Sequence, residues 1–257
     1  MITLHSRTVR LGTRPSPMAM EQTGRFADAF RSRNPDVALD ICKITSEGDA
    51  HHGPLSQIGG KGAFTRRADE HLLDGRVNAT IACAKDLPSP HDRAPGIIVA
   101  AVLPREEARD VLILPSGHAA TTLAELPPGT RVGTSAPRRA ARRRCGDVVI
   151  EHRAGDEDAA ALLSPLTHRA TRIVLDAERA VLSSLEGGCL TAASAHAVLD
   201  PVTQKVTVHA AVLDPSGGPA LRTASCGPAD RAAEVGRDAG LALLHAGAAR
   251  LLAVSPH

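Results

Sequence analysis

The sequence predicts an α/β protein that ends in a smaller α+β segment. Up to about Pro104, strand-like and helix-like stretches alternate, which is typical of an α/β domain. From about Arg169 onward, two helix patterns enclose one alternating run, which predicts a compact α+β ending. Of the 257 residues, 43% are hydrophobic and 23% are charged, as in ordinary folded globular proteins.

The first elements are predicted from local signals. Val9 to Thr13 reads as a short strand, and Ser16 with Pro17 supplies a hydroxyl cap and a proline for the first turn of a helix. That helix should end near Asn34-Pro35, because the residue before a proline disfavours helical geometry. Leu39 to Thr45 alternates as a strand does.

A glycine-rich stretch from His51 to Gly62 contains too many helix and strand breakers for regular structure, so we expect a mobile loop there. A second helix is predicted from Phe64 to Leu73, and a strand from Val77 to Cys83. Lys85 and Asp86 follow directly where this strand stops. Since ligands of parallel α/β sheets bind beyond the carboxyl ends of strands, Asp86 is well placed for chemistry.

The middle segment contains few elements. It has one strand candidate at Val111 to Leu114, a turn at Pro127-Pro128-Gly129, a short strand at Val132 to Thr134, and an arginine-rich helix. These elements are too few for a full domain. The segment's roughly 40 residues are at the limit below which a domain usually needs outside support. The last segment is predicted to hold a helix from Arg169 to Leu185, an alternating run from Val206 to Leu213, and a final helix from Asp230 to Leu252.

Composition excludes several classes of protein. No apolar run approaches the roughly 20 residues of a membrane span, and Met1 to Arg14 lack the apolar core of a signal peptide. We therefore expect a cytoplasmic protein without a membrane partner. The five cysteines are widely spaced and form no C-x-x-C pair, which argues against disulfides and against a metal site. The chain has no Trp or Tyr for base stacking, so no nucleic-acid partner is expected despite its many arginines.

Five short motifs occur in a specific order along the chain. They are Gly12-Thr13-Arg14-Pro15-Ser16-Pro17, Gly59-Gly60-Lys61-Gly62, Lys85-Asp86-Leu87-Pro88, Gly133-Thr134-Ser135 before Arg138-Arg139, and Leu185-Glu186-Gly187-Gly188-Cys189. Together they resemble the porphobilinogen deaminase (hydroxymethylbilane synthase) family over nearly the whole chain. The Lys-Asp-Leu-Pro and Leu-Glu-Gly-Gly-Cys motifs are the most specific of the five.

The resemblance implies a three-domain architecture. Two α/β domains are similar to periplasmic binding proteins, the second is abbreviated here, and a C-terminal α+β domain follows. Domain 1 would comprise residues 1–108 and 148–168, domain 2 residues 109–147, and domain 3 residues 169–257. The implied protein is a monomer.

The resemblance also implies the reaction, a transferase step of tetrapyrrole and heme biosynthesis. Porphobilinogen units would be condensed head to tail with release of ammonia, on a dipyrromethane cofactor attached covalently to Cys189. Asp86 would stabilise the cationic intermediate. The implied cofactor-binding residues are Cys189, Lys85, Arg138, Arg139, Ser135 and Asp49, and the implied substrate-binding residues are Arg14, Ser16, Lys61 and Phe64.

Taken without the resemblance, the same side chains could have ordinary structural roles. A free cysteine such as Cys189 is usually a small buried hydrophobe, and Asp86 beside Lys85 would suit a solvated ion pair. The Gly-Gly-Cys turn favours the anchor role, because glycines let a bulky ligand approach the backbone. The position of Asp86 after a strand favours catalysis.

The chain departs from the family pattern in its middle. Arg144-Cys145-Gly146-Asp147 runs directly into Val148 to Arg153, which resembles the strand that returns to domain 1, so several dozen residues are absent. Ala82-Cys83-Ala84, Ala136-Pro137 and Gln57 replace polar or cationic family residues. We therefore expect weaker binding and impaired elongation. The alternatives are a diverged paralogue that makes a shorter pyrrole product, and a non-catalytic protein that binds pyrrole acids.

Overall fold

The computed structural model describes residues 8–51, 62–88, 92–105, 114, 117, 119–120, 122–131, 147–185, 193–214 and 218–253. They form two β-sheets with helices packed against them. Residues 52–61 of the predicted loop, residues 111–113 of the first predicted strand of the middle segment, its second strand at Val132 to Thr134, and the arginine-rich helix lie outside the described residues.

The first sheet has five strands in the order β2-β1-β3-β5-β4. They are β1 (Thr8–Thr13), β2 (Ala38–Lys43), β3 (Ala79–Cys83), β4 (Ile97–Val102) and β5 (Val148–Arg153). Strand β1 is parallel to β2 and β3, whereas β5 is antiparallel to β3 and β4. The carboxyl ends of β1, β2 and β3 therefore share one edge of the sheet.

Four described helices belong to this part of the chain: α1 (Pro17–Arg33), α2 (Glu47–Ala50), α3 (Arg66–Leu73) and α4 (Glu157–Leu163). The predicted start of α1 is confirmed, because Ser16 caps it and Pro17 occupies the first turn. Phe26 and Phe30 of α1 are fully buried against β1 and β3. On the other side of the sheet, Leu72 of α3 joins a separate small apolar cluster.

The second sheet is antiparallel, in the order β6-β7-β8. Its strands are β6 (Ala193–Asp200), β7 (Lys205–Val212) and β8 (Leu221–Pro228), and the accompanying helices are α5 (Arg169–Ser184), α6 (Ala232–His245) and α7 (Ala248–Ala253). One face of the sheet and the inner faces of α5 and α6 form the larger core cluster. No helix within the described part of the chain is both long and apolar enough for a bilayer.

The predicted single helix from Asp230 to Leu252 is wrong. The chain instead forms α6 and α7, separated at Gly247, whose φ is +95°. A left-handed glycine satisfies the last helical carbonyls and redirects the chain, and the amide of Gly247 donates to the Leu244 carbonyl. The predicted turn at Pro127-Pro128-Gly129 is confirmed, because Thr130 N–H donates to the Pro127 carbonyl at 3.1 Å.

Helix α5 lies between the two sheets. Its buried residue Leu175 packs with Val102 and Val149 of the first sheet, while Val174 and Val181 face the second. The Arg179 Nη2 donates to the Pro88 carbonyl at 2.9 Å, just beyond Asp86. The helix that leads to the Cys189 segment is thus anchored beside the end of β3.

Candidate active site

A small cavity, open to solvent at its mouth, lies at the carboxyl ends of β1 and β3. Helices α1 and α3 form its sides. The residues that line it are Thr13, Arg14, Met18, Ala19, Gln22, Ile44, Ser46, Phe64, Thr65, Ala68, Asp69, Thr80, Ile81, Ala82, Cys83, Asp86 and Glu151. Arg14, Phe64 and Asp86, which the motifs single out, therefore come together here.

Arg14 is held by Asp49. The Arg14 Nε donates to both carboxylate oxygens, at 3.1 and 3.0 Å, and Nη2 donates to Oδ1. Asp49 itself closes a capping box at α2, where it accepts from the Ser46 hydroxyl at 2.7 Å and the Ser46 amide at 3.2 Å. The hydrogen bonds from Arg14 are the main reason that the pKa of Asp49 falls to about 2. Asp49 thus fixes the guanidinium while the rest of Arg14 faces the cavity.

Phe64 covers Arg14. The guanidinium carbon lies 4.3 Å from the centroid of the Phe64 ring, which is cation–π geometry. A Cβ on Gly48 would lie 2.2 Å from that ring, so the glycine is what allows Phe64 to lie there. Phe64 and Arg14, which the resemblance implies as substrate-binding residues, therefore lie side by side.

Asp86 ends a short 3₁₀ turn, Ala84–Asp86, that directly follows β3. Its Oδ2 lies 3.9 Å from the Arg14 Nη1, and its side chain is 18% exposed. Cys83 lies on the same wall, and its thiol is 3.4 Å from the Gln22 Oε1. Burial and the neighbouring Asp86 carboxylate raise the pKa of Cys83, which keeps the thiol protonated.

Three predicted residues that the structure describes, Asp49, Ser16 and Lys85, do not line the cavity. Ser16 uses its hydroxyl to accept from the Ala19 amide at 3.4 Å and so caps α1. Lys85 lies in the same 3₁₀ turn as Asp86. Cys189, Ser135, Arg138, Arg139 and Lys61 lie outside the described residues.

The inner end of the cavity contains charged residues that motif analysis missed. We use this name for four buried polar residues that line the cavity, Thr65, Asp69, Thr80 and Glu151, of which Asp69 is 8% exposed and Glu151 1%. Burial raises the pKa of Asp69 to about 6. Arg93 pairs with Glu151, and burial together with nearby Arg179 lowers the pKa of Arg93 to about 10. Helical periodicity could have indicated that Asp69 is buried, because Asp69 precedes the buried Leu72 by one helical turn and so lies on the same face of α3.

Comparison with known proteins identifies the family. Residues 9–157 match the family model "Porphobilinogen deaminase, dipyromethane cofactor binding domain", and residues 173–245 match "Porphobilinogen deaminase, C-terminal domain". The chain belongs to the porphobilinogen deaminase family. The predicted resemblance is therefore confirmed, and so is a mixed α/β fold with separate N-terminal and C-terminal parts.

Individual porphobilinogen deaminases are similar over almost the full chain. The protein from Syntrophotalea carbinolica is 29% identical, with 97% of this chain and 96% of the relative covered. The protein from Mycobacteroides abscessus is 30% identical, with 95% and 99% covered. "Porphobilinogen deaminase 2" of Streptomyces coelicolor is 41% identical, over 52% of this chain and 42% of the relative. The Syntrophotalea alignment spans 311 residues against the 257 of this chain, so part of that porphobilinogen deaminase has no counterpart here.

Proposed function

We propose that this chain catalyses the porphobilinogen deaminase reaction, the head-to-tail condensation of porphobilinogen with release of ammonia. The observation that carries the proposal is the meeting of Arg14 and Asp86 at 3.9 Å in one cavity, within the part of the chain that matches the family's cofactor-binding domain. Porphobilinogen carries acetate and propionate groups and an aminomethyl group. Its recognition needs a cationic fork for the acids and an anion near the reacting carbon.

In each cycle, the carbon–nitrogen bond of the aminomethyl group breaks and its electron pair leaves with the nitrogen as ammonia. The methylene carbon then bonds to a free pyrrole α-carbon, which loses its proton. Asp86 stabilises the positive charge that develops on the ring and accepts a hydrogen bond from the pyrrole N–H. It does so in a partly buried cavity, where a carboxylate acts more strongly than in water.

Arg14 binds a substrate carboxylate. Its Nε and Nη2 are occupied by Asp49, so Nη1 is the end that faces Asp86 and the cavity. The Asp49 oxygens are already used by Arg14 and Ser46. We therefore assign Asp49 as a positioning residue for Arg14 rather than a direct contact of the cofactor.

The dipyrromethane cofactor, when bound, supplies the pyrrole α-carbon on which the product grows. It carries several carboxylates, and its binding requires cationic donors at a site that is open to solvent, as Arg14 provides at the mouth of the cavity. Cys189 would hold it through a thioether, and Lys85, Ser135, Arg138 and Arg139 would contact its acid groups. Ser16, Lys61 and Phe64 complete the proposed substrate contacts.

The proposed enzyme is a cytoplasmic monomer with an abbreviated second domain, residues 109–147, between the two parts of domain 1, residues 1–108 and 148–168. The pairing of β5 with β3 and β4 supports this division, because β5 follows the short middle segment and completes the first sheet. Residues 169–257 form domain 3. An abbreviated second domain would cover less of the cavity and would impair elongation of the pyrrole chain. The product is therefore expected to be shorter than in full-length relatives or to form slowly.

Intact-mass measurement before and after treatment with porphobilinogen tests the proposal. We expect a mass increase equal to two pyrrole units that is lost in Cys189→Ala and kept in Cys226→Ala, since Cys226 is an exposed cysteine on β8. In Asp86→Asn, we expect turnover to fall by at least about a hundredfold, because an electrostatic partner of the developing charge is removed. An unmodified mass in all variants would contradict the proposal, and chromatography of the product would give its length.

A further inference from the structure

The two carboxylates at the inner end of the cavity differ in their charge partners. Glu151 forms an ion pair with Arg93, whose guanidinium is itself mostly buried. Asp69 is in no ion pair with any residue that the structure describes, although the charge of Arg93 lowers its pKa. Burial of an uncompensated carboxylate is unfavourable, which is why the pKa of Asp69 rises to about 6.

Two hydroxyl groups next to these carboxylates have no hydrogen-bond partner among the described residues. They are the Thr80 Oγ1 and the Thr65 Oγ1, and both are buried, although buried hydroxyls are nearly always hydrogen-bonded. Thr80 lies directly opposite Glu151 in the β3–β5 register, and its methyl group is turned toward Gly12 of β1. Thr65 is close enough to Asp69 to lower the pKa of that carboxyl slightly, but not in hydrogen-bonding geometry.

These four side chains indicate which kind of ligand would bind among them. A cation suits the group, because Asp69 is in no ion pair with a described arginine, and the ligand must donate hydrogen bonds to carboxylate and hydroxyl oxygens. It must also be small, since the inner end is nearly closed to solvent. Among the described residues, no three His, Cys, Asp or Glu side chains are grouped as a transition metal would need.

We propose that the inner end of the cavity is an ammonium subsite, which binds the protonated amino group that porphobilinogen carries and then loses. Ammonium has four N–H donors, which match the Asp69 and Glu151 carboxylates and the Thr65 and Thr80 hydroxyls. The identity of the amine rests on the proposed function. The existence of a subsite for a small hydrogen-bonding cation does not.

The subsite gives the cavity opposite charges at its two ends. Arg14, at the more exposed end, attracts the substrate's carboxylates, while Asp69 and Glu151 attract its amino group. Such an arrangement orients porphobilinogen with the aminomethyl group inward, away from the solvent. It also gives the leaving nitrogen a stabilised position as the carbon–nitrogen bond breaks.

Thermal unfolding in ammonium chloride tests the subsite without requiring activity. At neutral pH, where Asp69 is ionised, ammonium should raise the unfolding temperature more than potassium, sodium or tetramethylammonium chloride at equal ionic strength. Asp69→Asn and Thr80→Val, both close in shape to the native residues, should bind ammonium at least about tenfold more weakly. Glu70→Gln removes one exposed charge from the same helix and should keep the response. Equal responses to ammonium and potassium, or an unchanged response in both variants, would overturn the subsite.

Kinetics with porphobilinogen test which amine binds. If the subsite receives the substrate's own amino group, methylammonium should inhibit competitively, and Asp69→Asn should raise KM and abolish this inhibition. Inhibition by methylammonium that is identical in Asp69→Asn and in the unmodified protein would refute the orientation of the substrate. The covalent mass increase on Cys189 is measured separately. Its absence together with a specific ammonium response would reject the proposed function and leave the cation subsite standing.

Discussion

Asp49 holds Arg14 beside the cavity and Asp69 lines its inner end, and the pKa values of these two carboxyls shift in opposite directions. Hydrogen bonds from Arg14 lower the pKa of Asp49 to about 2, whereas burial raises that of Asp69 to about 6. The charged form of Asp49 therefore stabilises the fold above about pH 4, and this stabilisation is lost as the pH falls toward 2. The contribution of Asp69 to stability depends on pH in the opposite direction. Its protonated form stabilises the fold below its ordinary pKa of 3.8, and this contribution is lost as the pH rises through 6.

Replacement of Asp69 by asparagine should change how stability depends on pH. The amide stays neutral at every pH, so Asp69→Asn should gain stability relative to the unmodified protein as the pH rises from 4 to above 6, by about 3 kcal/mol at most. Urea unfolding at a series of pH values, in sodium salts without ammonium, measures this difference. Glu70→Gln, on the exposed face of α3, should show no comparable trend. A difference between Asp69→Asn and the unmodified protein that is constant across pH would contradict the expected ionisation.

At the scale of elements, two glycines determine how closely α5 and α6 approach. A Cβ on Gly236 would lie 2.0 Å from the Ala177 carbonyl oxygen, and one on Gly240 would lie 2.5 Å from the Ser184 Cβ. Both positions are spaced one turn apart on α6 and face α5. Because the obstacle at Gly236 is backbone, a side chain there can be accommodated only by separating the helices.

Gly236→Ala should destabilise the protein by about 1 to 3 kcal/mol, because overpacking forces α5 and α6 apart. Gly24→Ala is the matched control, since Gly24 also lies within a helix but a Cβ there would meet nothing within 4 Å. That control should stabilise the protein by about 0.5 to 1 kcal/mol through the lower entropy of the unfolded chain. Chemical unfolding of both variants provides the comparison. A stabilising effect of alanine at both positions would show that the helices can move apart freely.

Local signals predicted the elements that begin or end at distinctive residues. The cap at Ser16 and the strand ending at Cys83 are examples, and the helix that starts at Arg169 is another. Strands β6 and β8 were missed because their sequences contain small and polar residues whose pairing partners come from elsewhere in the chain. The Asp69 subsite was likewise unpredictable, since no motif joins α3 to β3 and β5. Periodicity can predict that Asp69 is buried, but not which charges surround it.

At the scale of the whole molecule, one arginine links the two sheets through α5. Arg105, just beyond β4, donates from Nε and Nη2 to Asp147 at 2.6 Å each. Its Nη1 and Nη2 donate to Glu178 of α5 at 3.0 and 2.8 Å. Glu178 also accepts from the Ala197 amide of β6 at 2.8 Å. Asp147 and Glu178 are 3% and 8% exposed, so Arg105 rather than water supplies the counter-charge that they share. The Nδ1 of His196 also lies 3.6 Å from the Glu178 Oε1.

Arg105→Met should therefore destabilise the protein by about 3 to 5 kcal/mol, because it leaves two buried carboxylates without their counter-charge. Arg76→Met is the matched control, since Arg76 pairs with Asp74 at 3.2 Å but both side chains are more than half exposed, and it should cost about 1 kcal/mol or less. Urea unfolding followed by circular dichroism measures both. Adding Asp147→Asn and Glu178→Gln to Arg105→Met should recover part of the lost free energy of unfolding, because the two buried carboxylate charges are then removed. If Arg105→Met costs no more than Arg76→Met, the apolar contacts of Leu175, and not this ion network, hold α5 against the first sheet.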